Sequence, residues 1–305
     1  AGGILNTINT RLEKTSIEYI IRHSKTKIFV FHEDFYDVVM SLSKDTLRSI
    51  KLICVYERKT KSAFILNYEN FLKKPFKNKK KYTLKDEWES ISLNYTSGTT
   101  GKPKGVLYHH RGAYLMCFNN QMVWKMSYHP VYLWTLPMFH CNGWCFPWTI
   151  VALAGTQVCM RKTVSKDIIN LINRENITHF CGAPIILQMI INELKNIKIK
   201  NRVKIMTAAS PPPPNILEKI EKKGFEVTHV YGLTESYGPA VVCEWKSVWN
   251  EIKSSKRKAI LKARQGVKYP SLEFLDVKIP ETMTSVRRNG KTLGEVMFKG
   301  NIIMK

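Results

Sequence analysis

Acidic residues are scarce in this 305-residue sequence: 24 Asp and Glu stand against 48 Lys and Arg, a formal net charge of +24. Arginine is scarce too, since it supplies only 12 of the 48 cationic side chains. Arg, more than Lys, reads base edges and forms two-pronged contacts with phosphate. Helix-turn-helix, paired Cys/His finger and aromatic RNA-binding patterns are also missing from the sequence. We therefore interpret the excess charge as solvated surface and predict no nucleic-acid partner.

A long uninterrupted apolar run is missing as well. Residues 126–160 contain no Asp, Glu, Lys or Arg, but three prolines, two histidines and an asparagine interrupt them. A membrane span needs about 20 mainly apolar residues, and unpaired polar groups are costly in lipid. The pattern predicts a buried strand at 131–136, a loop at 137–143 and a buried helix at 144–154, and no membrane span.

Paired cysteines are lacking, because the seven cysteines are odd in number and scattered. Most lie in apolar stretches, where a free cysteine behaves as a small hydrophobic residue. Cys141 and Cys145 form a CxxxC pattern without a second pair, so we expect no zinc site. The set fits a reducing compartment.

Short apolar runs alternate with amphipathic stretches along the chain. This alternation predicts an α/β protein with a largely parallel sheet. The predicted strands are 27–31, 51–56, 91–95, 178–181, 202–206 and 226–231. The predicted helices are 16–23, with Ser16 as its cap, 166–174, 184–194 and 214–223.

The most informative segment is residues 93–106, L-N-Y-T-S-G-T-T-G-K-P-K-G-V. Its glycines allow close backbone approach to a ligand, and its hydroxyls and backbone N–H groups can donate to anionic oxygens. Lys104 adds a positive charge. The segment predicts a phosphate-binding loop made of Thr96, Ser97, Gly98, Thr99, Thr100 and Gly101. A plain hairpin is the alternative, but it has no use for four hydroxyls beside a lysine.

A second informative segment, residues 230–238, reads V-Y-G-L-T-E-S-Y-G. It follows a predicted strand and places an aromatic ring, a hydroxyl and a carboxylate on one loop. The Glu235 carboxylate is the kind of oxygen ligand that Mg²⁺ prefers. An ordinary solvated carboxylate is the alternative for Glu235 taken alone.

Together these segments resemble the adenylate-forming, or AMP-binding, superfamily, which contains acyl-CoA synthetases, adenylation domains and luciferases. T-S-G-T-T-G-K-P-K-G is similar to its phosphate-loop signature, and Y-G-L-T-E to its Y-G-x-T-E motif. The motifs H-R-G-A-Y, F-H-C-N-G-W and K-A-R-Q-G-V are most similar to the plant acyl-activating group, which includes butyrate– and benzoate–CoA ligases.

The resemblance implies a fold and a reaction. The fold is the large N-terminal domain of an acyl-CoA synthetase, with mixed, mostly parallel sheets and packed helices. In the reaction, a carboxylate attacks the α-phosphorus of ATP to give acyl-AMP and pyrophosphate, and coenzyme A then displaces AMP. The implied partners are a small carboxylic acid, ATP, Mg²⁺ and coenzyme A.

The resemblance also implies residue roles around the nucleotide. Lys104 and Glu235 bind the triphosphate and Mg²⁺, Thr234 donates to the α-phosphate, and Tyr231 and Gly232 lie at the adenine. Residues 207–213, T-A-A-S-P-P-P, stand where the family usually has T-G-A-A-P beside adenine. Ala208 and Ala209 are thus assigned to the nucleotide. The methyl group of Ala208, where the family has glycine, is expected to weaken nucleotide binding.

A third segment, residues 137–144 (P-M-F-H-C-N-G-W), resembles the acid-pocket lining of the family. The resemblance places His140 near the substrate carboxylate, as a catalytic residue. Trp144, Gly182 and Ala183 are weaker pocket candidates. Ordinary core packing is the alternative for all four.

The resemblance covers residues 1–305, and relative to the family both ends look cut. Family members continue to a ribose-binding Asp and a small C-terminal domain with a catalytic Lys, so we expect this chain to be a partial N-terminal domain with impaired catalysis. A non-catalytic ATP-binding remnant and, from the charge alone, a basic nucleic-acid-binding protein are the alternatives. The resemblance implies a cytoplasmic or peroxisomal location.

Overall fold

The computed structural model describes residues 2–56, 64–74, 82–96, 101–194 and 199–305. The chain forms two compact units, Ala1–Leu107 and Tyr108–Lys305. The family resemblance predicts one partial domain over 1–305, and this stays a prediction. Each unit is described by itself.

The first unit contains two small sheets. One has the parallel order β2-β3-β4, and the other the order β1-β5-β6. The strands are β1 (Leu5–Asn6), β2 (Ile28–His32), β3 (Lys51–Val55), β4 (Leu66–Asn67), β5 (Ser90–Thr96) and β6 (Lys104–His109), whose last two residues belong to the second unit. The helices are α1 (Lys14–His23), α2 (Tyr36–Met40), α3 (Lys44–Ser49) and α4 (Tyr68–Leu72).

Apolar side chains of α1, β2 and β3 form the core of the first unit. Ile17 and Ile21 are four residues apart on α1, so they share one face and pack against Phe31 and Leu52. The predictions at 27–31 and 51–56 are confirmed to within one residue. The predicted cap is wrong: α1 begins at Lys14 with Glu13 at the cap position, so Ser16 lies inside the first turn of the helix.

The second unit is built on a seven-stranded sheet of order β13-β12-β11-β10-β9-β7-β8. The five strands from β8 to β11 are parallel, and β12 and β13 join antiparallel. The strands are β7 (Val131–Trp134), β8 (Thr156–Cys159), β9 (His179–Cys181), β10 (Val203–Thr207), β11 (Phe225–Leu233), β12 (Gly238–Val242) and β13 (Val267–Lys268). A separate antiparallel pair consists of β14 (Leu272–Lys278) and β15 (Glu295–Gly300).

Helices connect these strands and cover the sheet. They are α5 (His110–Trp124), α6 (Cys141–Trp144), α7 (Phe146–Ala152), α8 (Ser165–Arg174), α9 (Pro184–Glu193), α10 (Pro214–Lys222) and α11 (Ser255–Lys262). The main core contains Leu133, Phe180 and Ile205 from the strands, with Ile168 and Leu217 from the helices. The α/β prediction with a largely parallel sheet is confirmed.

Two predictions around residues 131–154 need correction. The strand β7 ends at Trp134 rather than at residue 136. The predicted helix 144–154 is wrong at its start, because residues 141–145 all have φ between +50° and +62° and a right-handed helix begins only at Phe146. Within the described residues, no helix has the length and apolar content that would cross a membrane.

Candidate functional site

Four predicted site segments of the second unit leave the carboxyl ends of four neighbouring strands. Thr234 and Glu235 follow β11, and Ala208 and Ala209 follow β10. Gly182 and Ala183 follow β9, and residues 137–144 come after β7. The sheet order β11-β10-β9-β7 places these exits side by side along one edge, where open parallel sheets bind ligands.

The residues Thr234–Ser236 form a 3₁₀ turn, and we call residues 234–238 the Glu235 turn. It is closed by Ser236, whose hydroxyl accepts from the Leu233 N–H at 2.9 Å and donates to the Gly238 carbonyl at 2.8 Å. The Glu235 carbonyl accepts from the Met304 N–H at 2.8 Å. The Glu235 side chain is half-buried and forms no ion pair with any described residue. Its backbone is therefore fixed while its carboxylate remains available.

Two stacked tyrosines support the Glu235 turn. The rings of Tyr108 and Tyr237 are 3.8 Å apart between centroids and nearly parallel. The Tyr108 hydroxyl donates to the Thr234 carbonyl at 2.6 Å, and the Tyr237 hydroxyl accepts from the His109 N–H at 2.7 Å. Burial raises the pKa of both phenols, that of Tyr108 well above its usual value, so Tyr108 stays a hydrogen-bond donor at neutral pH.

The segment after β7 turns with a left-handed backbone. We call residues 141–145 the left-handed turn. Four of its five residues are not glycine, and all five residues are buried. Each such non-glycine residue costs about 1–3 kcal/mol unless surrounding contacts hold it. Gly143 is required here, because a Cβ would lie 2.4 Å from the Trp134 ring. Strain held by packing in this way is typical of functional segments.

The two predicted acid-pocket residues of this segment lie in different environments. His140 precedes the left-handed turn and is exposed, with its ring 4.5 Å from that of Phe139. Trp144 is buried and packs against Gly238, and its carbonyl accepts from the Asn120 amide at 2.9 Å. The roles assigned to both residues stay predictions.

The left-handed turn contacts the Glu235 turn through two thiols. Cys141 donates to the Thr234 hydroxyl, with Sγ and Oγ1 3.6 Å apart. Cys145 donates to the Tyr237 carbonyl, also at 3.6 Å. Burial raises the pKa of Cys141 to about 11 and that of Cys145 well above its usual value. Both thiols are therefore protonated donors at neutral pH.

The remaining predicted residues of the second unit lie at the same sheet edge. Ala208 is buried, whereas Ala209 is exposed with φ at +78°. Beside them, the Thr207 hydroxyl is buried and has no hydrogen-bond partner among the described residues. Gly182 is held by its N–H, which donates to the Met206 carbonyl at 3.0 Å, and Ala183 precedes α9.

Tyr231 and Gly232 lie on the last residues of β11 rather than on a loop, because the strand extends to Leu233. The Tyr231 ring is half-buried and 6.2 Å from the Phe298 ring. The pairing with β12 shifts register between Tyr231 and Gly232. A Cβ at Gly232 would lie 1.9 Å from the Gly238 carbonyl oxygen, so only glycine fits.

The predicted phosphate loop is described at its two ends. Thr96 ends β5, and Lys104 begins β6 with an exposed side chain. Gly101 has φ at +84°, a left-handed conformation that favours glycine. Ser97, Gly98, Thr99 and Thr100 lie outside the described residues.

A groove of about 1120 Å³ lies elsewhere in the second unit, at the amino ends of β10 and β11. Its lining includes Arg202, Phe225 and Trp245, and none of the predicted site residues. The predicted chemistry therefore does not lie in this groove.

The sequence motifs assigned no role to the residues whose contacts hold the Glu235 turn and the left-handed turn: Tyr108, Tyr237, Asn120, Cys141 and Cys145. Cys141 and Cys145 carried a signal in their CxxxC spacing, and both are free thiols in the structure. No group of three or more His, Cys, Asp or Glu among the described residues could hold a metal ion.

The AMP-binding enzyme family matches residues 1–305. The chain is 41% identical over 326 residues to an acetate/butyrate–CoA ligase of Arabidopsis thaliana described as peroxisomal, covering 100% of this chain and 56% of that one. It is 41% identical over 319 residues to a peroxisomal benzoate–CoA ligase of the same plant, covering 100% of this chain and 55% of that one. The chain thus spans about 56% of the length of the first of these relatives.

Solved structures agree on the fold. O-succinylbenzoate coenzyme A synthetase from Bacillus subtilis, in complex with ATP and magnesium ion, superposes with a TM-score of 0.76 at 21% identity, over 99% of this chain and 56% of that chain. The N-terminal domain of a Mycobacterium tuberculosis protein, FACL13, gives a TM-score of 0.77 at 20% identity over 99% of this chain and 71% of that chain. With the family match over its whole length, the chain belongs to the AMP-binding enzyme family.

Proposed function

We propose that this chain supplies the nucleotide- and acid-binding residues of an ATP-dependent acid–CoA ligase. The observation that carries the proposal is the placement of four family-like segments at the carboxyl ends of β11, β10, β9 and β7. The names of the two Arabidopsis relatives support it, since both are acid–CoA ligases. The substrate would be a small carboxylic acid, activated as acyl-AMP and transferred to coenzyme A.

The Glu235 carboxylate fits the requirements of Mg²⁺. It is an oxygen donor on a fixed backbone, and no described residue forms an ion pair with it. Mg²⁺ is commonly bound by one or two carboxylates together with substrate phosphates. This arrangement agrees with the absence of a larger ligand group among the described residues. When bound, the ion would neutralise charge on the triphosphate.

Each nucleotide-binding residue has a distinct proposed role. Tyr231 stacks against adenine, and the absence of side-chain bulk at Gly232 lets the strand end turn closely. Thr234 donates its hydroxyl proton to a phosphate oxygen. Lys104 and the loop from Thr96 to Gly101 bind the remaining phosphate oxygens through charge and backbone N–H groups. Ala208 and Ala209 border the adenine, where the buried Thr207 hydroxyl still has capacity for a hydrogen bond.

The acid is proposed to bind against the segment after β7. His140, exposed at the sheet edge, would orient the carboxylate, and Trp144, Gly182 and Ala183 would limit the pocket depth. Orientation of this kind accelerates a reaction between two bound groups, because the entropy of bringing them together has already been lost on binding.

Calorimetric titration of the 305-residue chain with Mg·ATP tests the proposal. We expect Lys104→Ala and Glu235→Gln to weaken binding by about 10- to 100-fold, since each removes a charged partner. Lys102→Ala is the matched control, as Lys102 is exposed two residues before Lys104 and has no assigned role. Unchanged affinity in both site variants would remove the assignment. Binding without acyl-AMP formation from added acetate or benzoate would instead favour a non-catalytic ATP-binding protein.

The location and the macromolecular partners are also part of the proposal. The names of the Arabidopsis relatives support a peroxisomal rather than a cytoplasmic location. We propose no nucleic-acid partner. Salt-dependent nanomolar binding of RNA or DNA by a chain that fails to bind Mg·ATP would overturn the statement on nucleic acid.

A further inference from the structure

The left-handed turn and the Glu235 turn are in direct contact. This contact joins the segment assigned to the acid with the segment assigned to the nucleotide. Three interactions form it: Cys141 with Thr234, Cys145 with Tyr237, and Trp144 with Gly238. All three lie within the second unit.

The Cys141 contact fixes the direction of the Thr234 hydroxyl. A threonine hydroxyl has one proton to donate and two lone pairs that accept. The Cys141 thiol donates to one lone pair at 3.6 Å, so the Thr234 proton does not point at the sulfur. It is left to donate to a group outside the protein, and a phosphate oxygen is such an acceptor.

The Cys145 contact fixes the other end of the Glu235 turn. Its thiol donates to the Tyr237 carbonyl, while the Tyr108 hydroxyl donates to the Thr234 carbonyl. Donors thus hold the carbonyls on both sides of Glu235. Gly238 completes the contact, because a Cβ there would lie 3.0 Å from the Trp144 Cβ, a tight approach that glycine relieves.

The two thiols lie on a segment whose backbone is left-handed throughout, with φ between +50° and +62° at residues 141–145. This conformation is disfavoured for residues other than glycine. Four non-glycine residues keep this disfavoured conformation. Their strain needs compensating contacts, and those contacts are made with the Glu235 turn, β7 and α5.

We propose that Cys141 and Cys145 are positioning residues, which orient the Thr234 hydroxyl and the Glu235 turn for the phosphates of the nucleotide. This inference rests on the proposed nucleotide binding. It assigns the CxxxC pair a role that is neither a metal site nor a disulfide. The segments assigned to the acid and to the nucleotide are then joined by the two thiol contacts.

The experiment compares Mg·ATP affinity among cysteine variants. We expect Cys141→Ala to raise the dissociation constant by about 3- to 10-fold, the range for a lost hydrogen bond. Cys141→Ser, whose hydroxyl can donate in the same place, should recover most of the loss. Cys145→Ala should weaken binding about 3-fold. Adenosine, which lacks phosphates, should bind Cys141→Ala and the unmodified chain equally in competition against a fluorescent nucleotide.

Cys54→Ala is the matched control, because Cys54 is a fully buried thiol on β3 of the first unit. We expect it to lower the melting temperature without changing the Mg·ATP dissociation constant. The proposal is overturned if Cys141→Ala binds normally, if Cys141→Ser fails to restore affinity, or if adenosine binding falls in parallel. If the unmodified chain itself gives no Mg·ATP binding, the proposed function fails and this inference fails with it.

Discussion

The glycine at position 232 is the residue on which the strand end depends most directly. A Cβ there would lie 1.9 Å from the Gly238 carbonyl oxygen and 2.7 Å from its carbon, and both are backbone atoms that cannot rotate away. We expect Gly232→Ala to lower the free energy of unfolding by about 1–3 kcal/mol, as overpacking does. The backbone must move to relieve this clash, and it lies between Tyr231 and Glu235. Mg·ATP affinity should therefore fall as well. Thermal denaturation and calorimetric titration measure the two effects.

Gly3 provides the comparison for that substitution. A Cβ at Gly3 would meet no heavy atom within 4 Å. We expect Gly3→Ala to leave the melting temperature and the Mg·ATP affinity unchanged. Equal stability of the two alanine variants would contradict the close approach between β11 and β12.

Individual residues of the site were predictable only where the motif itself contains them. Thr234 and Glu235 follow from the residue types needed for phosphate and Mg²⁺. Tyr108 does not, because its contact with Thr234 joins residues 126 positions apart. A partner at that separation has no local pattern in a single sequence, and the same holds for the Cys141 and Cys145 contacts.

The helix α5 contains a glycine, Gly112, whose replacement by alanine should destabilise the chain rather than stabilise the helix. Replacing a helical glycine by alanine normally stabilises a helix by about 0.5–1 kcal/mol. At Gly112, however, a Cβ would lie 2.4 Å from the Tyr237 ring. We expect Gly112→Ala to destabilise the chain by about 1–3 kcal/mol and to weaken Mg·ATP binding by displacing Tyr237. Chemical denaturation gives the sign directly.

Gly112→Ser is a useful second variant for α5, since it also adds a Cβ but has lower helix propensity than alanine. Both variants should lose stability if the Tyr237 ring is the obstacle. A more stable Gly112→Ala chain would mean that the ring moves freely and that the stacked tyrosines do not hold the Glu235 turn.

Helices whose apolar residues repeat at helical spacing were predictable from the sequence, and segments without that repeat were not. The helices α8 and α10 were predicted to within one residue because Ile168 and Ile172, or Leu217 and Ile220, repeat at helical spacing. The helix α5 buries one face, which includes the polar Asn119 and Asn120, while apolar Tyr114, Phe118 and Met122 lie on its exposed face, so no periodic pattern marked it. The left-handed turn was missed because cysteine and tryptophan have no preference for that backbone.

The buried imidazole of His179, on β9, should make the free energy of unfolding depend on pH. Burial lowers the pKa of His179 to about 4 from its usual 6.5, and Lys204 adds to the shift. Between pH 6.5 and 4 the unfolded chain binds a proton that the folded chain does not, so stability falls as the pH falls through this window. At pH 4.5 this one group should cost roughly 2 kcal/mol relative to pH 7.

The variant His179→Phe isolates this contribution, because phenylalanine keeps a ring against Trp124 without a titrating group. We expect its free energy of unfolding to fall less than that of the unmodified chain between pH 7 and 4.5, by the roughly 2 kcal/mol expected from His179. Parallel pH profiles for the two chains would show that His179 titrates normally.

Few of the cationic side chains of the chain have a proposed role in the site. Only Lys104 among the 48 cationic residues has a proposed role with phosphate, and described ion pairs such as Arg202 with Glu226 use a few others. Most of the excess is left to repel itself across the surface. The excess positive charge is a property of the whole molecule rather than of the site, and it can be counted from the sequence alone.

Self-repulsion at +24 should make stability depend on ionic strength. Raising NaCl from about 10 to about 150 mM shortens the screening length from about 30 to about 8 Å, which weakens repulsion between separated lysines. We expect the free energy of unfolding to rise by on the order of 1 kcal/mol and the melting temperature by about 1–2 °C. Choline chloride at equal ionic strength should give the same rise, because screening does not depend on the identity of the ion, whereas glycerol at equal osmolality should not reproduce it. A melting temperature that stays constant or falls over this range would mean that specific ion pairs, which salt weakens, outweigh the repulsion.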